Sequence, residues 1–310
     1  MNYVKLLKAL VFILFSFIVL ISLVVVLLYS IREKQTTELI NPIVSNVVKR
    51  AYSIHSLFTS GIEKVVDQSL SKTDGTYSIV VRNMKTGESY SQNPDRVYES
   101  ASLYKLWVMA CVYQQLNSGK LKKSDTLTGT VEDLNLSFGI ASTDAELTTG
   151  KISYTVGDAL TNMITVSDNY SALLLAKKIG MSNIAKFLNS QGLSSSQTGN
   201  PPTTTASDIM QFYSKLYHHE LINYESSEEM IALLRGQAIN DRIPKYLPTG
   251  ISVAHKTGEL DDFKHDAGIV YTPKGDYIIV LLSQTDDPDQ ASEIMAELSK
   301  QIYLHFISST

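Results

Sequence analysis

Hydrophobic and polar positions divide the chain into a short apolar leader and a long patterned remainder. From Ala9 to Tyr29 there is no charge and only two serines, Ser16 and Ser22. These 21 positions are close to the roughly 20 residues that carry an α-helix across a bilayer core. Lys5 and Lys8 precede the run and Arg32 and Lys34 follow it, and no Ala-x-Ala cleavage pattern interrupts it. The pattern predicts an uncleaved single-pass anchor with a short tail over 1–30, and the flanking charges are too even to orient it; the motifs below put the tail in the cytoplasm. A mixed juxtamembrane stalk over 31–51 and one folded domain over 52–310 follow.

In that domain the period of the apolar positions changes several times. Ile54, Leu57, Phe58, Ile62, Val65, Val66 and Leu70 form a helical stripe. Thr76–Asn83 is rich in β-branched residues, and the turn at 85–87 leads into a short alternating run to Asn93, which together predict a hairpin. A helical pattern starts at Ser102, and residues 120–152 read as loop. Helical stretches are predicted at about 155–164, 168–180, 182–190, 206–219 and 226–236. Three apolar runs follow, at 252–256, 267–271 and 277–283, with a turn at 273–275. Asp287-Pro288 supplies an N-cap and a first-turn proline for a last helix to about His305. Two early strands, a helical stretch and three late strands predict an α+β fold. Its antiparallel sheet of about five strands is flanked by helices, and an all-helical region is inserted between the two halves.

Composition narrows the function. Apolar residues make up 44% and charged residues 19%, which suits a folded protein. A net charge of −4 and the lack of a basic block exclude a nucleic-acid partner from the expectations. The single cysteine, Cys111, allows no intrachain disulfide and reads as a buried small hydrophobe. The six histidines form no HExxH and no dense cluster, so neither a metal nor another cofactor is expected.

Three short strings carry candidate chemistry: Ser102-Leu-Tyr-Lys105, Ser167-Asp168-Asn169 and Lys256-Thr257-Gly258. Ser69-Leu-Ser-Lys72 also fits the first pattern, but it ends a helical stripe, whereas Ser102 opens an apolar helix. A serine on a first helical turn has backbone N–H groups aimed at it, and a lysine at i+3 lies on the same face. A serine hydroxyl needs a base, and a lysine can serve if burial or a second cation destabilises its ammonium.

In these strings, their order and their spacing, the chain resembles the class A β-lactamase and penicillin-binding serine hydrolase family. YTVGDAL (154–160), NDRIPKYLP (240–248) and KHDAGIVYTPKGDYIIVLLS extend the resemblance over roughly 52–308. It implies a β-lactamase-like fold with Ser102 as nucleophile, Lys105 as base, Ser167 as proton relay and Lys256 as second cation. It implies that Asn169, Thr257, Gly258 and Glu259 bind the substrate, with the backbone N–H groups of Ser102 and Glu259 as the oxyanion hole. It also implies a β-lactam or D-Ala-D-Ala-type peptide as substrate, met outside the cytoplasm of a bacterial cell. Asp168 is expected to brace its turn, His255 and Asp266 to pair across strands, and Arg242 is a candidate for reaching a substrate carboxylate.

The chain departs from that family in two places. Glu259 stands where Ser, Ala or Thr is usual after Lys-Thr-Gly. The stretch 190–205, where the family's deacylating glutamate belongs, contains no glutamate; Glu132 and Glu220 are poorly placed to replace it. Three readings follow: a hydrolase that releases its acyl group slowly, a penicillin-binding D,D-carboxypeptidase or transpeptidase, or a non-hydrolytic sensor of β-lactam or peptidoglycan.

Overall fold

The computed structural model describes residues 61–308 apart from Lys72. The expected anchor at 9–29, the stalk and residues 52–60 lie outside the described residues. Among the described residues no helix is long and apolar enough to cross a membrane.

Five strands form the main sheet: β1 (Thr76–Asn83), β2 (Ser89–Gln92), β7 (Ser252–Leu260), β8 (Phe263–Tyr271) and β9 (Tyr277–Gln284). Their order is β2-β1-β9-β8-β7, and every neighbour is antiparallel. The early hairpin therefore closes against the last strand, Val80 opposite Val280, and β7 is left as an edge. β9 reads as a continuous apolar run because both of its faces are covered. Tyr277, Ile279 and Leu281 pack with Ile62 and Val66 of α1 (Gly61–Leu70) and with Met295, Leu298 and Ile302 of α9 (Pro288–Ser308). Ile278, Val280 and Leu282 face the larger core under the remaining helices. Asp287 caps α9 as expected, its Oδ1 accepting from the Gln290 N–H at 3.0 Å.

The intervening segment carries α2 (Lys105–Asn117), α3 (Val131–Ser137), α4 (Val156–Thr165), α5 (Asn169–Ile179), α6 (Met181–Gln191), α7 (Ala206–Tyr217) and α8 (Tyr224–Arg235). It is not all-helical. β4 (Thr126–Thr130) pairs with β5 (Lys151–Thr155), and β3 (Tyr98–Glu99) pairs with β6 (Thr203–Thr204). The sequence reading missed the β4–β5 ribbon because TLTGT and KISYT are short and weakly apolar. Only long-range pairing makes them strands. Side-chain caps start most of these helices, among them Thr155 Oγ1 to the Asp158 N–H at 3.1 Å and Asn223 Oδ1 to the Ser226 N–H at 2.8 Å.

Candidate active site

Ser102 does not sit on an α-helix proper. It lies in a 3₁₀ turn, Ala101–Tyr104, that leads into α2 at Lys105. The turn is entered through Ala101 at φ 43°, a left-handed value that a residue with a Cβ seldom adopts outside sites held by their surroundings. Those surroundings are visible. The Ser100 N–H donates to the Pro202 carbonyl at 2.8 Å, and the buried His265 ring hydrogen-bonds the Glu99 carbonyl through Nε2 at 2.8 Å. Burial lowers the His265 pKa to about 4, so the ring is neutral.

The second string closes over the first. Ser167 has φ 59°, and Asp168 caps α5, its Oδ1 accepting from the Ser171 N–H at 2.6 Å; the bracing role expected for Asp168 is what it does. Lys105, fully buried, donates through Nζ to the Ser167 carbonyl at 2.5 Å, to Asn169 Oδ1 at 2.6 Å and to Ser167 Oγ at 3.2 Å.

From the third string, Lys256 Nζ lies 3.0 Å from the same Ser167 Oγ and 2.9 Å from the Thr257 carbonyl. Gly258 brings the edge strand β7 onto the turn that carries Ser102. A Cβ there would stand 3.3 Å from Leu103 Cγ and 3.2 Å from His265 Cβ, so a larger residue would need these side chains to give by a few tenths of an ångström. The structure thus gathers Lys105, Ser167, Asn169, Lys256 and Gly258 beside the turn that carries Ser102. Ser69 stays apart, its hydroxyl bonded to the Val65 carbonyl inside α1 at 2.9 Å.

Two amines reaching one hydroxyl in a buried site cannot both hold a full proton complement cheaply. Burial, and then the charge of Lys105, push Lys256 well below the usual lysine range. Burial lowers the pKa of Lys105 to about 8, opposed by Glu146 and Asp168. Burial thus raises the share of neutral amine at Lys105. Glu146, which no motif marks, accepts from Asn169 Nδ2 at 2.5 Å, so both ends of the Asn169 amide are engaged. Glu146 sits in a polar loop before the second string, and nothing in local sequence marks it.

On the other face of β7 stand His255, Thr257 and Glu259. His255 Nδ1 pairs with Asp266 Oδ1 at 2.9 Å, as expected, and Asp266 Oδ2 takes the Ile243 N–H at 3.0 Å. Arg242 is fully buried, and its Nη2 contacts Glu259 Oε2 at 2.7 Å. Lys264 holds the other oxygen of the same carboxylate. Cys111 is buried on α2.

The segment 193–205 runs past the Ala101–Tyr104 turn through the β3–β6 pair. With Tyr104 and Trp107 it encloses a cavity of about 500 Å³ into which it presents Thr198, Gly199, Asn200 and Pro202. A smaller cavity of about 140 Å³ lies between Tyr104, Glu146, Asn169 and Tyr170. The arrangement sets a serine turn directly before a buried lysine of lowered pKa, a second hydroxyl within reach of two lysine amines, and the edge strand β7 next to both.

Comparison with known proteins places the chain in a family and its fold among solved structures. A family model described as the beta-lactamase enzyme family matches residues 59–306. Among solved structures, a beta-lactamase from Sphaerobacter thermophilus DSM 20745 superposes with a TM-score of 0.70 at 22% identity, covering 80% of this chain and 97% of that one. PBP-A superposes with a TM-score of 0.70 at 22% identity, covering 81% and 97%. A beta-lactamase from Chitinophaga pinensis DSM 2588 gives 0.69 at 16% identity, covering 81% and 100%. At these identities the structures speak for a shared fold. No curated protein matches the chain in sequence.

Proposed function

The chain belongs to the beta-lactamase enzyme family, and from that premise we propose that it is a serine hydrolase forming an acyl-enzyme at Ser102 with β-lactams or related cell-wall peptide amides. The observation that carries this reading is the convergence of Lys105 and Lys256 on the Ser167 hydroxyl, at 3.2 and 3.0 Å. Neutral Lys105 takes the proton of Ser102 as Oγ attacks the carbonyl carbon. The backbone N–H groups of Ser102 and Glu259 receive the developing oxyanion. Ser167, supplied by the lysine pair, passes a proton to the leaving nitrogen, and the acyl group remains as an ester on Ser102.

Deacylation is the slow half. The ester needs a water and a base, and the segment 193–205 brings no carboxylate into the cavity beside Tyr104, only Thr198, Gly199, Asn200 and Pro202. One similar structure is an acyl-enzyme complex of a PBP-A variant with penicillin G, an adduct of the chemical class proposed here. The lack of a glutamate in 193–205 also favours a second reading, a penicillin-binding D,D-carboxypeptidase or transpeptidase. The uncharged run 9–29 supports a location on the outer face of a bacterial cytoplasmic membrane.

Time-resolved mass spectrometry with a labelled penicillin tests the proposal. One adduct per chain is expected on the wild type and none on Ser102→Ala, with the adduct persisting through the experiment. Labelling of Ser102→Ala would remove the nucleophile assignment. Rapid multiple turnover of a chromogenic cephalosporin would remove slow release alone.

A further inference from the structure

The cavity of about 500 Å³ beside Tyr104 is walled by Trp107, Val108, Phe138, Leu173, Ala176 and Ile184. All of these but Phe138 are buried, and no charged side chain lines the space. Its size falls within the roughly 300–1,000 Å³ of pockets that hold small molecules. Met181, Gly199 and Asn200 edge it and are exposed, so a ligand can enter from solvent. The segment 193–205 leaves the space open, since it brings only Thr198, Gly199, Asn200 and Pro202 to it. Apolar walls around such a hollow lack packing partners on one side, which favours an apolar guest. The cavity also adjoins the reacting residues. Tyr104, Ile140 and Leu173 wall both this space and the smaller one of about 140 Å³, whose lining includes Asn169 and Glu146. Asn169 accepts from Lys105 Nζ at 2.6 Å, and Tyr104 stands two residues after Ser102 in the same 3₁₀ turn.

We propose that this apolar cavity is a subsite for the acyl donor, holding an unbranched aliphatic chain carried on the group that becomes esterified to Ser102. The proposal rests on the acyl-enzyme reading. The two spaces meet along Tyr104, the polar one at Asn169 and the apolar one at Trp107. A donor that is polar near its reacting carbonyl and aliphatic beyond matches that order. A flexible chain can turn past the shared tyrosine, which a rigid ring system of the same volume cannot do. A charged side chain is disfavoured, because the larger cavity would desolvate it and offers no ion partner. Each methylene that leaves water for the cavity tightens binding by about three- to fourfold at full burial.

The test uses penicillins whose side-chain amide carries an acetyl, hexanoyl or decanoyl group. Acylation of the full chain is followed by mass spectrometry. The proteins are the wild type, Ala176→Phe, which fills the cavity from within, and Met181→Asp, which puts a charge on its rim. Met181 opens α6, where an aspartate suits the helix dipole, so this second variant keeps its fold. From acetyl to decanoyl the wild-type acylation rate should rise by about thirtyfold or more, as burial of a few methylenes predicts. Both variants should lose most of that gain while their acetyl rates stay close to wild type. Trp107 is the only tryptophan of the chain, so its fluorescence reports on the cavity directly. An adduct whose decanoyl chain ends in bromine should quench it strongly relative to the plain decanoyl adduct. Rates that ignore chain length, a gain that survives both variants, or an unquenched brominated adduct would overturn the subsite and leave the acyl-enzyme reading standing. No adduct from any of these compounds on the wild type would overturn the acyl-enzyme reading, and this inference with it.

Discussion

If Lys105 is the base, the acylation step must titrate with it, and Glu146 must move the midpoint. Lys105 has a pKa of about 8. Its neutral fraction is then about one-tenth at pH 7 and about one-half at pH 8, so the rate should climb roughly tenfold from pH 7 to its plateau near pH 10. Glu146 favours the charged form of Lys105 and leads the carboxylates that oppose burial there. Replacing it with Gln keeps an acceptor for Asn169 Nδ2 and removes the charge. Glu146 is exposed, so solvent screens the interaction to roughly 0.5–1 kcal/mol, or about half a pH unit. The sign follows from charge: without the carboxylate the ammonium is less favoured, the midpoint falls, and more base is present at neutral pH. Glu146→Gln should therefore acylate about two- to threefold faster than wild type at pH 7 and equally fast on the plateau. The assay is rapid-mixing acylation by a fluorescent penicillin at saturating concentration, from pH 6 to 10, which separates the chemical step from binding. A profile flat across pH 7 to 9, or a midpoint that rises in the variant, would refute Lys105 as base.

Two further outcomes follow from the same geometry. Asn200→Glu places a carboxylate in the cavity shared with Tyr104, so release of the acyl group, timed by loss of the mass adduct, should quicken by about tenfold or more; an unchanged lifetime would show that this position does not face the ester. Asp266→Ala leaves the Ile243 N–H and His255 Nδ1 unpaired in a dry interior, and chemical denaturation should find the domain about 3 kcal/mol less stable, whereas a loss below about 1 kcal/mol would mean that water or a neighbour repairs the network.

Much of the molecule is written in local patterns. The patterns at 76–83, 168–180, 252–256 and 277–283 specify strands and a helix because burial acts on one face or on both. Ser102 and Lys105 fall together because three residues make about one helical turn. The Asp168 and Asp287 caps are local as well, since each side chain reaches an N–H three residues on. Sequence order and spacing therefore marked Ser102, Ser167 and Lys256 as candidates through a family resemblance, and outlined the antiparallel α+β fold. Tertiary structure decided what no spacing encodes. It showed that Lys105 and Lys256 share one hydroxyl, that Glu146 charges one end of the Asn169 amide, and that the Glu259 side chain is held by Arg242 and Lys264. It also turned 126–130 and 151–155 into strands. These are through-space facts. Electrostatic interaction depends on distance and on the exclusion of water, and both are set only when segments tens of residues apart close around a common core.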